Sequence, residues 1–266
     1  MNMFLHELRA YRKSTIIWTC SLISVVILFL AMYPAIAKDA ADFRKIIENY
    51  PPALMKAFGF SLDNFFSLLG FYSTVTLTYI LLCGSIQAMN LGTSIISKEV
   101  REKTADFLLT KPVRRSQIMT AKLLAVITSL VITNVIYIVG ASLMALAVQT
   151  EAFSYKLFFM LSITVFFVQL MFLSLGILVS VLVPKIKSVL PISLGTVFSF
   201  FIISMLSSSI GDTTSRFITP FKYFDTMYIL NNSAYEVTYI IVELLFIVTA
   251  ITASYIIYSK KDIHSV

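Results

Sequence analysis

Charged residues are scarce in this chain of 266 amino acids: they make up 13% of it, about half the share usual in a soluble domain. So few cannot clothe a water-facing surface, and 58% hydrophobic residues with a mean hydropathy of +0.86 exclude an ordinary cytosolic protein. Histidine is nearly missing. The two present, His6 and His264, stand near the chain ends, which argues against a histidine-based catalytic centre or a bound zinc. Cysteine is as rare, and Cys20 and Cys83 fall inside apolar runs, so neither a disulfide framework nor a metal site is expected. No span presents paired carboxylates, a histidine cluster or a Ser-His/Lys arrangement, which speaks against an intramembrane protease or lipid transferase. Internal repeats, expected of many gradient-driven transporters, are not visible either.

Apolar runs are what the chain has in plenty. About 20 apolar residues cross ~30 Å of hydrocarbon as a helix, and six such runs occur, at residues 16–36, 70–96, 123–149, 157–183, 189–210 and 237–258. They are too long for barrel strands, and a lipid-exposed backbone must satisfy its own hydrogen bonds, so they are helices. The expected fold is all-α and integral to the membrane, one domain over residues 1–266 with six transmembrane helices. The first run lacks a small-x-small cleavage site before Lys38 and reads as a retained anchor. The segments before span one, after spans two and four, and after span six hold 14 of the Lys and Arg residues, the alternate segments 7. That bias places both termini and residues 97–122 in the cytoplasm and makes the basic excess a topology signal, with some contact to anionic lipid, rather than a nucleic-acid footprint.

Several segments between the runs carry structure of their own. Residues 3–15 set Phe4, Leu8 and Tyr11 opposite Glu7, Arg9, Arg12 and Lys13, read either as an interfacial helix (1–15) lying on the inner face before the chain turns into span one, or as a basic flanking tail. After span one, residues 39–50 read as a short amphipathic helix stopped by Pro51-Pro52, followed by the apolar patch 53–60. Gly84, Ala88 and Gly92 share one face of span two, suiting close approach of another helix from this chain or from a second subunit. Gln87, Asn90, Asn134 and Gln169 add uncharged polar groups for interhelical hydrogen bonds or a substrate path. A tight turn at 184–187 makes spans four and five antiparallel neighbours. Residues 207–236 are too aromatic for a solvated loop and suit half-helices dipping into the outer leaflet. Glu243 is the one ionisable residue well inside a span. It is a candidate proton or cation site, which would fit an ion-gradient-driven secondary transporter, or else a packing residue.

Residues 97–122 form a charged island between spans two and three. It holds seven basic residues (Lys98, Arg101, Lys103, Lys111, Arg114, Arg115, Lys122), three acids (Glu99, Glu102, Asp106) and the apolar triplet Phe107-Leu108-Leu109. Ser97 and Thr104 are candidate helix N-caps, Asp106 suits a first helical turn, and Pro112 stops what Thr104 starts. A short helix over residues 104–111 with an apolar centre rimmed by charge suits either a protein partner or a loop dipping back into the bilayer.

The string ISKEVREKTADFLLTKPVRRSQIMTAKLLA resembles the signature of the type-2 permease subunits of ATP-binding-cassette transporters, and ITPFKYFD resembles that family's outer-loop pattern. The resemblance implies that the loop carries a coupling helix docking on a separate ATPase, with Glu99 and Glu102 on the approach, Thr104, Asp106, Phe107, Leu108 and Leu109 within it, and Arg114 and Arg115 at its exit. It implies two copies of a cytoplasmic ATPase carrying ATP and Mg, since no G-x-x-x-x-G-K-[ST] phosphate loop occurs here. A second permease subunit, identical or related, and a multi-pass location in the cell membrane, of the bacterial cytoplasmic kind, complete the expectation. The implied activity is export of a hydrophobic or amphipathic substrate such as a peptide, antibiotic or lipid, with Glu243, Gln169 and Asn134 as a candidate intramembrane polar site.

Overall fold

The structure is a computed structural model that describes residues 3–48, 51, 65–101, 114–183, 186–210 and 214–260. The elements in chain order are α1 (Met3–Lys38), α2 (Ala40–Glu48), α3 (Leu68–Phe71), a π-helical turn (Tyr72–Thr76), α4 (Leu77–Arg101), α5 (Arg115–Val148), α6 (Tyr155–Leu182), α7 (Val189–Ile210), two 3₁₀ turns (Thr214–Phe217 and Pro220–Lys222), α8 (Thr226–Asn232) and α9 (Val237–Lys260). Six helices are long and apolar enough to cross a membrane. Span one is α1, span two runs from α3 through the π turn into α4, and spans three to six are α5, α6, α7 and α9. No strand occurs among the described residues, as an all-helical membrane chain requires.

Most of the helices overrun their apolar runs, and the overruns are informative. Span three starts at Arg115 and span two continues to Arg101, so the charged island is entered and left by helical stems. Span one shows the largest departure from expectation. No turn separates residues 3–15 from the apolar run; α1 is one helix of 36 residues, about 54 Å long where ~30 Å of hydrocarbon needs crossing. Nothing in residues 3–15 breaks a helix, and one buried stripe runs unbroken along it: Glu7, Tyr11, Thr15, Thr19, Leu22, Val26, Leu30, Tyr33. Glu7 therefore belongs to the packed face and not to the charged face expected for it. Ser97 is not an N-cap either; it lies inside α4 with its hydroxyl donating to the Thr93 carbonyl at 2.6 Å.

Lipid tails are as apolar as leucine, so helices in a membrane join through close packing and hydrogen bonds. Spans two and four join most closely. A methyl group added to Gly92 would collide with the Leu173 carbonyl, and one added to Gly176 would come within 2.7 Å of the Met89 carbonyl, so the two backbones touch where both helices have glycine. Ala88 is fully buried on the same face. The small-residue face of span two is thus used within the chain. Span one packs along span three, span six against span four, and span five chiefly along span two. The last point corrects the expectation that spans four and five are close neighbours: the glycine contact has brought span two against span four, and span five meets span four only at places such as the Phe172–Phe200 ring contact. Spans two and four form the centre, with 56% and 61% of their apolar windows buried against 17% for span six.

The expected short helix is present as α2, Ala40–Glu48, and Pro51 is exposed; residues 49, 50 and Pro52 lie outside the described residues. The apolar patch 53–60, the predicted helix 104–111 with Pro112, and Pro184-Lys185 of the tight turn lie outside the described residues. The aromatic segment after span five folds back into the bundle. The Phe221 ring meets that of Phe172 at a tilt and that of Phe201 edge to face, and Phe201 lies about 14 Å of helix rise inside the end of α7. Thr219 is fully buried and its hydroxyl donates to the Phe200 carbonyl at 3.0 Å. Protein covers this broken backbone, which is the condition for irregular chain at membrane depth.

Candidate functional site

The stems of the charged island are braced by a buried ion pair. Lys122, only 1% exposed, donates from Nζ to the Ile95 carbonyl at 2.8 Å and lies 3.5 Å from Glu7 Oε1. One side chain on span three thereby ties the stem of span two and the first turns of α1. A second layer adds to it: the Tyr11 ring sits 5.7 Å under the Lys98 ammonium, and Ser94 donates to the Tyr11 hydroxyl at 3.4 Å. Ile95 belongs to the entering stem and Lys122 to the leaving one, so the island is pinned at both roots. A buried pair of this kind offers little net stability but is costly to break, because either partner alone is an uncompensated charge.

Among the expected coupling residues, Glu102, Thr104, Asp106, Phe107, Leu108 and Leu109 lie outside the described residues, as does the side chain of Glu99 on α4. Arg114 is the exposed N-cap of α5; its backbone N–H donates to Gln117 Oε1 at 3.2 Å and its carbonyl accepts from Gln117 N–H at 2.9 Å. Arg115 is the first residue of that helix. Sequence reading grouped Lys122 with the exposed basic residues and missed its pairing with Glu7. The signal was available: Lys122 falls in phase with the buried positions Met119, Val126 and Ser129 of α5, as Glu7 does with Tyr11 and Thr15 of α1.

A second constellation crosses the middle of the bundle. Asn134 donates from Nδ2 to Gln169 Oε1 at 2.5 Å, and Gln169 donates from Nε2 to the Gly84 carbonyl at 3.3 Å. Gln87 donates to the Thr133 hydroxyl at 3.0 Å, which is 3.0 Å from that of Thr19. Spans one to four are thus laced by amides and hydroxyls. Farther along, the Tyr72 hydroxyl bonds those of Tyr137 and Ser162. Such contacts average about 0.6 kcal/mol each in a membrane, and with no ionised group or base among them the belt positions helices rather than performing chemistry. The structure brings Asn134 and Gln169 together as a pair and leaves Glu243 apart from them. Glu243 is buried on span six, facing Tyr223 of the aromatic segment.

That segment is held by its own ion pair. Arg216 donates to Glu236 Oε1 at 3.0 Å and to the Lys222 carbonyl at 3.3 Å, and its guanidinium lies 4.2 Å from the Tyr239 ring centre. Stacking and a fork of donors suit arginine in this role. Residues 1–263 match a family described as ABC-2 family transporter protein. No curated protein matches the chain.

Proposed function

Since the chain belongs to the ABC-2 transporter family, whose members are multi-pass membrane proteins, we propose that it is the permease subunit of an ATP-driven exporter, worked by a separate cytoplasmic ATPase. Two six-span subunits, identical or related, would flank the path, two ATPases carrying ATP and Mg would bind beneath, and the location is the bacterial cytoplasmic membrane. The observation that carries this reading is the braced pair of stems. Spans two and three extend past their apolar runs as helix, and Lys122 pins them to each other and to α1. A push on residues 102–113 would then tilt the stems together as a lever instead of being absorbed by loose chain. Because span two is fused to span four through Gly92 and Gly176, the tilt would carry the bundle centre with it. Lipid-facing apolar spans and a wholly uncharged central belt suit a hydrophobic or amphipathic cargo such as a peptide, antibiotic or lipid.

The test is Phe107→Asp in the chain coexpressed with its ATPase. An apolar anchor in a groove commonly costs about 2 kcal/mol or more when truncated, so the ATPase should dissociate or hydrolyse without transport. Copurification of Phe107→Asp with a fully coupled ATPase would sink the reading.

A further inference from the structure

Between the far half of span two, span five and the returning aromatic segment lies a cavity of about 160 Å³ lined by Ser73, Thr74, Thr78, Ser204, Lys222 and Asp225, with apolar side chains between them. Its walls are shared between spans two and five and the returning segment: Thr78 lies about 15 Å of helix rise from the start of α3, and Phe221, Lys222, Phe224 and Asp225 close it from the other side. Lys222 and Asp225 are the two charged residues in this lining. Arg216, close by, has its own partner in Glu236. Lys222 has none: Asp225 acts on it through space, but no ion pair closes between the two among the described residues. Asp225 is committed only in part, one oxygen accepting from the Tyr228 N–H at 3.0 Å to cap α8. The cavity therefore presents a cation and an anion held apart.

The hydroxyls fix what lies between them. Ser73 donates to the Gly70 carbonyl at 3.0 Å and Thr78 to the Thr74 carbonyl at 2.7 Å. Their protons are spent on their own helix, which leaves oxygen lone pairs as the groups offered to a ligand. The π turn Tyr72–Thr76 inserts an extra residue into span two at this level, and such turns recur at functional sites. An ammonium with N–H donors suits Asp225 and the hydroxyl oxygens, and a phosphate suits Lys222.

We propose that this cavity binds the headgroup of a phospholipid bearing a primary ammonium, phosphate toward Lys222 and ammonium toward Asp225. A choline headgroup has the same charges but no N–H to donate, and a glycerol headgroup has no cation, so both bind less well. The site needs no ATPase, and its test is independent of the export reading.

The purified full chain is loaded with phosphatidylethanolamine, phosphatidylcholine or phosphatidylglycerol of matched acyl chains, and retained lipid is counted by native mass spectrometry. Phosphatidylethanolamine should be retained several-fold above the other two. Lys222→Gln should lower retention of all three, since phosphate is common to them. Asp225→Asn keeps an N-capping oxygen and hence α8, and should erase the preference for phosphatidylethanolamine while leaving retention of phosphatidylglycerol unchanged. Equal retention of the three lipids by the unaltered chain overturns the proposal, as does an undiminished preference in Asp225→Asn, a result that stands even if Lys222→Gln fails to fold.

Discussion

Removing the Lys122 ammonium should cost more than any other single charge in the described part of the chain. At 3.5 Å from Glu7, and with an effective dielectric constant of about 20, the direct attraction is about 5 kcal/mol. Its loss also strands a buried carboxylate and removes the donor to the Ile95 carbonyl. Truncating one partner of such a pair costs about 3–5 kcal/mol. At about 2–4 °C per kcal/mol for a chain of this size, Lys122→Met should lower the melting midpoint of the detergent-purified protein by on the order of 10 °C. Glu7→Gln should behave similarly, since it leaves the buried ammonium without its carboxylate. The double variant Glu7→Gln/Lys122→Met has no buried charge left and should recover most of the loss, since apolar or neutral replacements of a buried pair are close to neutral. The measurement is a thermal-shift double-mutant cycle. Additive losses, with a coupling below about 0.5 kcal/mol, would show that the two residues do not pair and that the stems are not pinned as described.

Three further outcomes follow from the same architecture. In a variant lacking Cys20 and Cys83, single cysteines at residues 45 and 225 should react with an impermeant thiol reagent from outside and those at 103 and 262 should not; labelling at 103 from outside would invert the topology. Gly92→Ala and Gly176→Ala should each force spans two and four apart and lower the melting midpoint, whereas Gly195→Ala, whose new methyl meets nothing within 4 Å, should be neutral or stabilising by up to about 1 kcal/mol. Glu243→Gln keeps the shape of the carboxyl without its ionisation and should leave transport nearly intact; complete loss with normal folding would favour coupling to a proton or cation gradient.

Spans were legible because hydropathy over about 20 residues is a coarse, additive signal. The face each span buries was legible only where its phase was carried to the end of the helix. Carried back from Leu22 and Val26, the stripe of α1 lands on Glu7, and carried back from Val126 and Ser129 that of α5 lands on Lys122. Reading charge before phase put both on the surface. Gly84, Ala88 and Gly92 announced a close approach, but nothing in their spacing names the approaching helix; Gly176 on span four had to be matched to them in space. Asn134 and Gln169 were recognisable as polar groups needing partners, yet pairing across 35 residues depends on the rotation of two helices. The aromatic segment after span five announced burial through composition, whereas its depth follows from Phe221 meeting Phe172. The π turn left no trace in sequence pattern, because one extra residue in a helical turn alters phase less than composition varies.

The Glu7–Lys122 pair also sets a clock for synthesis. Glu7 is among the first residues made, and its partner follows roughly 115 residues later, which at about 5–20 residues per second is on the order of ten seconds. Span one and then span two are completed within that interval, yet the carboxylate that must end buried does not meet the Lys122 ammonium until the interval closes. Span one therefore enters the membrane with its first turns unsettled, and the N-terminus closes onto the bundle only when the beginning of span three emerges. A nascent chain stopped short of Lys122 should expose the Glu7 end of α1 to protease, and one extended past the end of α5 should protect it.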